Sequence, residues 1–321
     1  MNKNNNVAIG ILAYNEELYI EKVILELSKL GLPLYILDDS STDNTRTILQ
    51  NLSKKIDITV VINKKNQGAG TSTIKLIQKI KKDGFQYLLK VDGDDQFKYK
   101  DVENIVEIAQ SGVYDFIKSN RFWDGGIEGK IPNKRYLGNL FATILLQFVA
   151  GTNKLFDPLN GLFAVDVKIL DKINTRVYPK RYGYPFYFSA LSAISFFKIY
   201  QVNNIVSYGK QKSNLSSIRV FFTLMRLTLH FCFLKIKNKI LIGKYQRSAF
   251  LDITLLFFLA LNIITLFRFV LIFSSVAYFD TSYTGSWALI LLLLFIFTIF
   301  IFIESFKEEK AIRNKFIEID D

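Results

Sequence analysis

The chain has 321 residues, half of them hydrophobic, which is enough for one large domain or two smaller ones with a substantial core. Its single Cys (Cys232) excludes an internal disulfide, and its single His (His230) excludes a metal site built from several His ligands. The formal net charge is +12, and any bound metal must have oxygen ligands.

Short apolar runs alternate with helical periodicity along the first ninety residues. The runs cover residues 7–12, 34–37, 58–62 and 87–91. Continuous apolar runs of this length are typical of strands that are buried on both faces. The alternation predicts an α/β domain with a mainly parallel sheet, in which ligands bind beyond the carboxyl ends of the strands.

Acidic residues follow two of these predicted strands directly. Asp38 and Asp39 come after the second strand, and Asp92, Asp94 and Asp95 come after the fourth. Carboxylates so close together repel one another unless a cation lies among them, and oxygen-rich clusters suit Mg²⁺ or Mn²⁺. The D-x-D motif therefore predicts a divalent cation bound by Asp92 and Asp94, with a solvated acidic turn as the alternative interpretation.

Two common nucleotide-binding motifs are absent from the sequence. A dinucleotide-binding oxidoreductase would have a glycine-rich G-x-G-x-x-G segment after the first strand, where this chain reads AYNEE (13–17). The chain also has no P-loop. The acidic strand ends must therefore belong to another kind of site.

Four segments resemble the signatures of family 2 glycosyltransferases, which have the GT-A fold, a Rossmann-like sheet with flanking helices. They are VAIGILAYNE (7–16), DDSSTDNT (38–45), NQGAG (66–70) and DGDDQ (92–96). The resemblance assigns the cation to Asp92 and Asp94, with Asp94 catalytic, and it implies a set of residues that bind the nucleotide-sugar. That set is Ala13, Tyr14, Asn15, Glu16, Asp38, Asp39, Gly68, Asp92 and Gln96. For NQGAG, a tight turn before a helix is the alternative.

The following segment resembles the branch of dolichyl-phosphate mannose synthases and bacterial polyprenyl-phosphate glycosyltransferases. The resemblance implies catalytic roles for Arg121, which follows a predicted strand, for Arg135 and for Asp157 in the DPLNG loop. It also implies a set of residues that contact the acceptor phosphate: Arg135, Asn139, Lys210, Lys212 and Ser213. The alternative for Arg121 and Arg135 is an ordinary surface ion pair, and the alternative for the segment with Lys210, Lys212 and Ser213 is a basic loop beside the membrane. The acidic residue that many relatives carry after 181–184 is missing here.

The positive charge is concentrated in one region. Between Asp171 and Asp252 the chain has no Asp or Glu but fourteen Lys and Arg, and the rest of the chain is slightly acidic. Two membrane-length apolar runs follow this region. We therefore interpret it as a surface for anionic lipid headgroups or a lipid phosphate, and not for nucleic acid.

The pattern predicts four segments along the chain. They are a GT-A domain (1–217), basic amphipathic helices at the membrane surface (218–247), two transmembrane helices within 248–304 (about 251–278 and 286–304) and a cytoplasmic tail (305–321). The two transmembrane helices would form a hairpin. Basic residues flank the hairpin on both sides, and the loop between its helices has no Lys or Arg. The positive-inside rule then places the catalytic domain and the C-terminus in the cytoplasm, at a bacterial inner membrane.

Together these features predict an integral membrane enzyme of cell-envelope glycan synthesis. It would transfer a sugar, with inversion, from a UDP- or GDP-sugar to a polyprenyl phosphate, with Mg²⁺ or Mn²⁺ as cofactor. A separate flippase is expected because two spans leave little machinery for moving a glycan, and a homo-oligomer is left open. One alternative is a hydroxyl acceptor with Asp157 as base. The other is a non-catalytic membrane protein that binds nucleotide-sugars.

Overall fold

A computed structural model describes residues 6–123, 126–128, 131, 133–207, 217–243, 245–274 and 281–320. The chain divides into two compact units. The first consists of Met1–Phe231 and Phe316–Asp321, and the second of Cys232–Lys315.

The first unit is built on a sheet that has eight strands within the described residues, in the order β10-β8-β5-β7-β4-β1-β2-β3. The strands are β1 (Val7–Ala13), β2 (Leu34–Asp38), β3 (Ile58–Ile62), β4 (Tyr87–Asp92), β5 (Phe116–Asn120), β7 (Phe163–Asp166), β8 (Ile199–Asn203) and β10 (Ile317–Ile319). A separate pair joins β6 (Ile127–Glu128) to β9 (Val206–Ser207).

Helices connect and cover these strands. They are α1 (Ile20–Ser28), α2 (Thr45–Leu52), α3 (Ala69–Lys82), α4 (Tyr99–Gln110), α5 (Asn133–Ala150), a 3₁₀ helix (Val167–Lys172), α6 (Tyr184–Ile194) and the first part of α7 (Ser217–Ile242). All seven residues of β1 are buried because β1 lies between β2 and β4 and has helices on its faces.

The sheet is mainly parallel, as the sequence predicts. Strand β7 is antiparallel to both of its neighbours, β4 and β5, whereas the other pairings are parallel. The carboxyl ends of β1, β2, β4 and β5 therefore meet at one edge. Because parallel α/β sheets bind ligands at that edge, the fold brings the predicted site residues of these strands to the expected place.

The last residues of the chain differ from the prediction of a tail over 305–321. Helix α9 (Thr281–Arg313) continues through most of that range, and β10 then pairs in parallel with β8. The Ile199 amide donates to the Phe316 carbonyl (2.7 Å), and the Lys154 ammonium donates to the Ile317 carbonyl (3.2 Å). The segment IEI is too short for its alternation to be read as a strand from sequence.

The second unit contains the end of α7, helix α8 (Gln246–Ser274) and most of α9. Two segments, Gln246–Leu271 and Ser286–Arg313, are long and apolar enough to cross a membrane. Their inner surface carries a buried ionic cluster: Lys239 donates to Asp252 (2.6 Å) and Ser248 (2.8 Å) and pairs with Glu309. The predicted turn lies partly outside the described residues, at 275–280.

Candidate active site at the carboxyl edge of the sheet

The loops that follow β1 and β2 are joined by hydrogen bonds. The Asn15 amide oxygen accepts from the Thr42 backbone N–H (2.8 Å), and the Ser41 hydroxyl accepts from the Asn15 N–H (3.0 Å). The Thr45 hydroxyl accepts from the Glu16 N–H (2.8 Å). Asn15 has φ +59°, a left-handed conformation that Asn tolerates better than most residues. Two segments that are distant in sequence thus form one surface, with the Tyr14 side chain 45% exposed on it.

Asp38 and Asp39 are both buried at the end of β2. The Asp38 carboxylate accepts from the Ser41 N–H (2.9 Å) and pairs with Arg46 (3.3 Å). The Asp39 carboxylate accepts from Asn63 Nδ2 (2.7 Å) and from two backbone N–H groups of the NQGAG segment, those of Gln67 (2.9 Å) and Gly68 (2.7 Å). Asp39 therefore fixes the loop that begins α3.

The two glycines of the NQGAG segment are required by close backbone contact. A Cβ on Gly70 would lie 2.1 Å from the Pro179 carbonyl oxygen, and one on Gly68 would lie 2.6 Å from the Lys180 carbonyl oxygen. Gly68 also has φ +89°, which favours glycine. The segment is thus a turn before a helix that is pressed against another part of the chain.

An acidic group lies at the end of β4, where the D-x-D motif predicts it. Asp92 forms an ion pair with the buried Lys90 (2.5 Å), and a Cβ on Gly161 would lie 2.2 Å from Asp92 Oδ2. Burial, then the charge of Asp92, raises the pKa of Asp94 to about 7. Burial and then the charges of Asp94, Asp92 and Asp43 raise the pKa of Glu16 to about 8. The site thus concentrates negative charge that a cation would stabilise.

Asp95, the third carboxylate of the motif, has a different environment. It has φ +58° and forms an ion pair with Lys22 on α1 (2.6 Å). The next residue, Gln96, donates its backbone N–H to Asp94 (3.4 Å). Asp94 and Asp95 are therefore adjacent in sequence but differ in environment, which makes them a matched pair for mutagenesis.

Arg121 and Asp157 form a bidentate ion pair beside the end of β5. The guanidinium donates through Nε to Asp157 Oδ2 (2.9 Å) and through a terminal nitrogen to Oδ1 (3.0 Å). The Arg121 backbone N–H (3.1 Å), Asn139 Nδ2 (2.9 Å) and Asn160 Nδ2 (3.1 Å) also donate to this carboxylate. Asp157 is buried and has φ +50°, so a web of donors holds it in an unusual backbone conformation.

The remaining predicted acceptor residues are placed in part. Arg135 lies half-buried on α5, four residues before Asn139, and the buried Asn139 Oδ1 has no hydrogen-bond partner within the described part of the chain. Lys210, Lys212 and Ser213 lie outside the described residues.

Two buried lysines of the site were not predicted from the sequence. Lys90 pairs with Asp92, and Lys118 on β5 donates to the carbonyl oxygens of Ser119 (3.3 Å) and Phe156. For Lys90, the sequence feature that could have predicted a buried lysine is its position within a mainly apolar strand, YLLKVD (87–92). Such a residue needs a buried partner, because an unpaired buried charge is costly.

Lys118 makes the stability of the first unit depend on pH. Burial lowers its pKa to about 8, against the attraction of Asp157 and together with the repulsion of Arg121. Between pH 8 and about 10.4, the usual pKa of Lys, the Lys118 side chain is protonated to a greater extent in the unfolded chain than in the folded one, so the contribution of this one group to stability rises with pH. We expect wild type to gain about 2 kcal/mol more than Lys118→Met between pH 7 and 9.5 in denaturant titrations. Parallel pH profiles of the two proteins would contradict the shift.

Two curated proteins are similar in sequence to about half of this chain. An uncharacterized protein of Methanocaldococcus jannaschii is 33% identical over 142 residues, which are 42% of this chain and 58% of that protein. Dolichol-phosphate mannosyltransferase of Pyrococcus furiosus is 23% identical over 175 residues, 52% of this chain and 48% of that protein. The matches thus span only about half of these relatives' lengths.

A solved structure has the same fold. Glucosyl-3-phosphoglycerate synthase from Mycobacterium tuberculosis, crystallised with Mn²⁺, UDP-glucose and phosphoglyceric acid, superposes with a TM-score of 0.52 at 18% identity, covering 70% of this chain and 80% of that one. The family model described as glycosyl transferase family 2 matches residues 8–173, which include β1 except for Val7, β2 to β7 and every acidic residue of the site. The chain therefore belongs to glycosyl transferase family 2 and is a glycosyltransferase with the GT-A fold.

Proposed function

We propose that this glycosyltransferase moves a sugar, with inversion, from a UDP- or GDP-linked donor to a polyprenyl phosphate. The observation that carries the proposal is the group formed by Glu16, Asp92 and Asp94 at the carboxyl edge of the sheet. The two membrane-length helices of the same chain support a lipid acceptor. The similarity to an enzyme whose name includes dolichol phosphate supports it further.

The donor would bind where the loops after β1 and β2 meet. The candidate contacts there are the residues around Tyr14, with Asp39 holding Gly68 and the start of α3 in place. The diphosphate would then lie toward Asp92 and Asp94, with Gln96 beside them. This arrangement fixes the donor before the acceptor arrives, and fixed geometry supplies a large part of the rate of a transfer reaction.

The acidic group fits a divalent cation with few protein ligands. Within the described residues, no group of three His, Cys, Asp or Glu is arranged to hold a metal. Asp92 and Asp94 would therefore supply two ligands, and phosphate oxygens and water the others, as is usual for Mg²⁺. When bound, Mg²⁺ or Mn²⁺ would neutralise the charge on the leaving nucleoside diphosphate. It would also oppose the burial, and after it the repulsion between carboxylates, that raise the pKa of Glu16 and of Asp94.

The acceptor chemistry is consistent with the environment of Asp157. A phosphate monoester is anionic at neutral pH and needs no general base, whereas a hydroxyl acceptor does. Asp157 accepts five hydrogen bonds, including a bidentate pair from Arg121, so its lone pairs are engaged. These contacts disfavour a base role and suit a positioning role for Arg121 and Asn139.

Replacing Asp157 by Asn tests the hydroxyl-acceptor alternative. The change leaves the Arg121 guanidinium, whose side chain is 13% exposed, without its anion, and we expect a loss of stability of about 3–5 kcal/mol. The control is Asp171→Asn, which removes an exposed pair with Lys81 and should cost less than about 1 kcal/mol. Unchanged stability with complete loss of transfer, measured in denaturant titrations and activity assays, would favour the base role.

The membrane orientation is also a proposal. Helices α8 and α9 would form a transmembrane hairpin with the catalytic unit and the C-terminus in the cytoplasm, at a bacterial inner membrane. A separate flippase would then move the product. A Cys introduced at the exposed Ser286 should react with an impermeant thiol reagent from the outer side of intact cells or spheroplasts. If the Cys reacts only after the cells are opened, the loop lies on the cytoplasmic side and the orientation is the opposite of the one proposed.

A further inference from the structure

A large groove in the first unit is lined by basic side chains that the proposed reaction does not use. Its volume is about 1000 Å³. The basic residues along it are Lys65, Arg176, Lys180, Arg181, Arg219 and Arg226. They come from the loop before α3, from the segment between the 3₁₀ helix and α6, and from the start of α7. Neither Arg135 nor Asn139, the acceptor candidates within the described residues, lines the groove, nor does the catalytic candidate Arg121.

Carboxylates of the described residues do not neutralise these cations. No Asp or Glu lines the groove within the described residues, and none of the described carboxylates forms an ion pair with the six side chains. All six residues are exposed, and Arg226 donates a hydrogen bond to the Val177 carbonyl oxygen (3.4 Å). Uncompensated charge of one sign in a concave surface creates a field that attracts anions.

The backbone that presents these side chains is held firmly. The Thr71 N–H donates to the Lys180 carbonyl oxygen (3.0 Å), and the buried Tyr178 hydroxyl donates to the Gly70 carbonyl oxygen (3.0 Å). The glycines at 68 and 70 allow this contact because a Cβ at either position would clash with residues 179–181. These contacts fix the backbone of residues 178–180, so the cations of this segment project into the groove from a rigid support.

An apolar stripe runs along α7 next to the groove. Ile218, Phe222 and Leu229 lie on one face of this helix and are exposed, whereas Arg219 and Arg226 line the groove from the adjacent face. On the neighbouring surface, Phe141 of α5 stacks on Phe221 of α7 (5.3 Å between ring centroids). A helix with an exposed apolar face beside basic residues is typical of segments that lie at a lipid surface.

The spacing of the cations favours several phosphates over one. Arg219 and Arg226 are seven residues apart on α7, which corresponds to about 10 Å along the helix. A single phosphate could not engage both ends of such a row, whereas a layer of lipid headgroups could. We propose that this groove binds the phosphate groups of anionic phospholipids of the bilayer. The inference rests on the proposed membrane attachment but not on the sugar-transfer reaction.

The test measures binding of the full chain in non-ionic detergent to mixed micelles of that detergent and phosphatidylglycerol, with several phosphatidylglycerol molecules in each micelle so that they present an anionic surface. Binding is followed by the fluorescence anisotropy of a labelled short-chain phosphatidylglycerol, with a phosphatidylcholine analogue as comparison. The test variant is the triple substitution Arg176→Gln, Lys180→Gln and Arg219→Gln. Since each basic residue near an anionic surface contributes about fivefold, the triple variant should bind phosphatidylglycerol about 100-fold more weakly. The control is Lys29→Gln, Lys54→Gln and Lys55→Gln, which removes three exposed cations that neither line the groove nor belong to the basic region between Asp171 and Asp252.

Three results would overturn the proposal. They are equal binding of the two lipids by wild type, an equal loss of binding in the test and control variants, and displacement of the probe by undecaprenyl phosphate at a far lower concentration than by phosphatidylglycerol. The last result would make the groove an acceptor site. Because the assay contains neither donor nor metal, its outcome does not depend on whether the proposed reaction is correct.

Discussion

Replacement of Asp94 by Asn is expected to abolish sugar transfer, with a loss of about 10³-fold or more, because metal stabilisation of a leaving diphosphate is worth several kcal/mol. Asp94 lies in the acidic group where burial and the charge of Asp92 raise its pKa to about 7. Asn keeps the shape of the side chain but removes the charge that a divalent cation needs. The measurement is the transfer rate at saturating donor over a range of Mg²⁺ and Mn²⁺ concentrations.

The adjacent carboxylate supplies the control. Asp95→Asn removes the ion pair with Lys22, whose side chain is 59% exposed, and Asn also suits the left-handed backbone at this position. Its effect on transfer should be less than about fivefold, the range of an exposed ion pair. If both variants lose activity equally, or if Asp94→Asn keeps metal-dependent activity, the assignment of the cation to Asp94 is wrong.

A single methyl group at position 161 should be the second most damaging change. A Cβ on Gly161 would lie 2.2 Å from Asp92 Oδ2 and 2.9 Å from Lys90 Nζ, so Gly161→Ala must displace the Asp92 carboxylate. A misplacement of about 1 Å in a catalytic group can cost about 100-fold in rate, and we expect a loss of that size. The variant should need more metal for half-maximal activity, which a titration of transfer rate against Mn²⁺ would reveal.

The matched control for this change is Gly138→Ala. Gly138 lies on α5, and a Cβ there would meet no atom within 4 Å. The substitution should leave transfer unchanged and stabilise the helix by about 0.5–1 kcal/mol. Normal activity and normal metal dependence in Gly161→Ala would show that the contact between Gly161 and Asp92 is not part of the site.

The central strands could be predicted because their burial leaves a strong pattern. A strand with neighbours on both sides and helices on both faces is mostly apolar: β1 is apolar throughout, and β2 and β4 are apolar except for Lys90 and for the Asp that ends each of them. Asp38 and Asp92 end two of these strands, so the acidic edge followed from the same pattern. The family signatures then assigned roles to residues whose chemistry alone was ambiguous.

Other features depend on contacts between distant segments, which a single sequence does not reveal. Strand β7 runs antiparallel between β4 and β5, and β10 joins the sheet from the far end of the chain. Similarly, Gly161 approaches Asp92, and Asp39 holds the N–H groups of Gln67 and Gly68. Neither contact is visible from local periodicity.

Transfer of a labelled sugar into lipid tests the central claim most directly. Membranes containing this protein would receive undecaprenyl phosphate, Mg²⁺ or Mn²⁺ and each of a panel of labelled UDP- and GDP-sugars, with Asp94→Asn membranes as the control. The proposed function predicts metal-dependent label in the organic phase, in a product labile to mild acid, and none with Asp94→Asn. Donor binding without label in lipid, or transfer only to a hydroxyl acceptor, would contradict it.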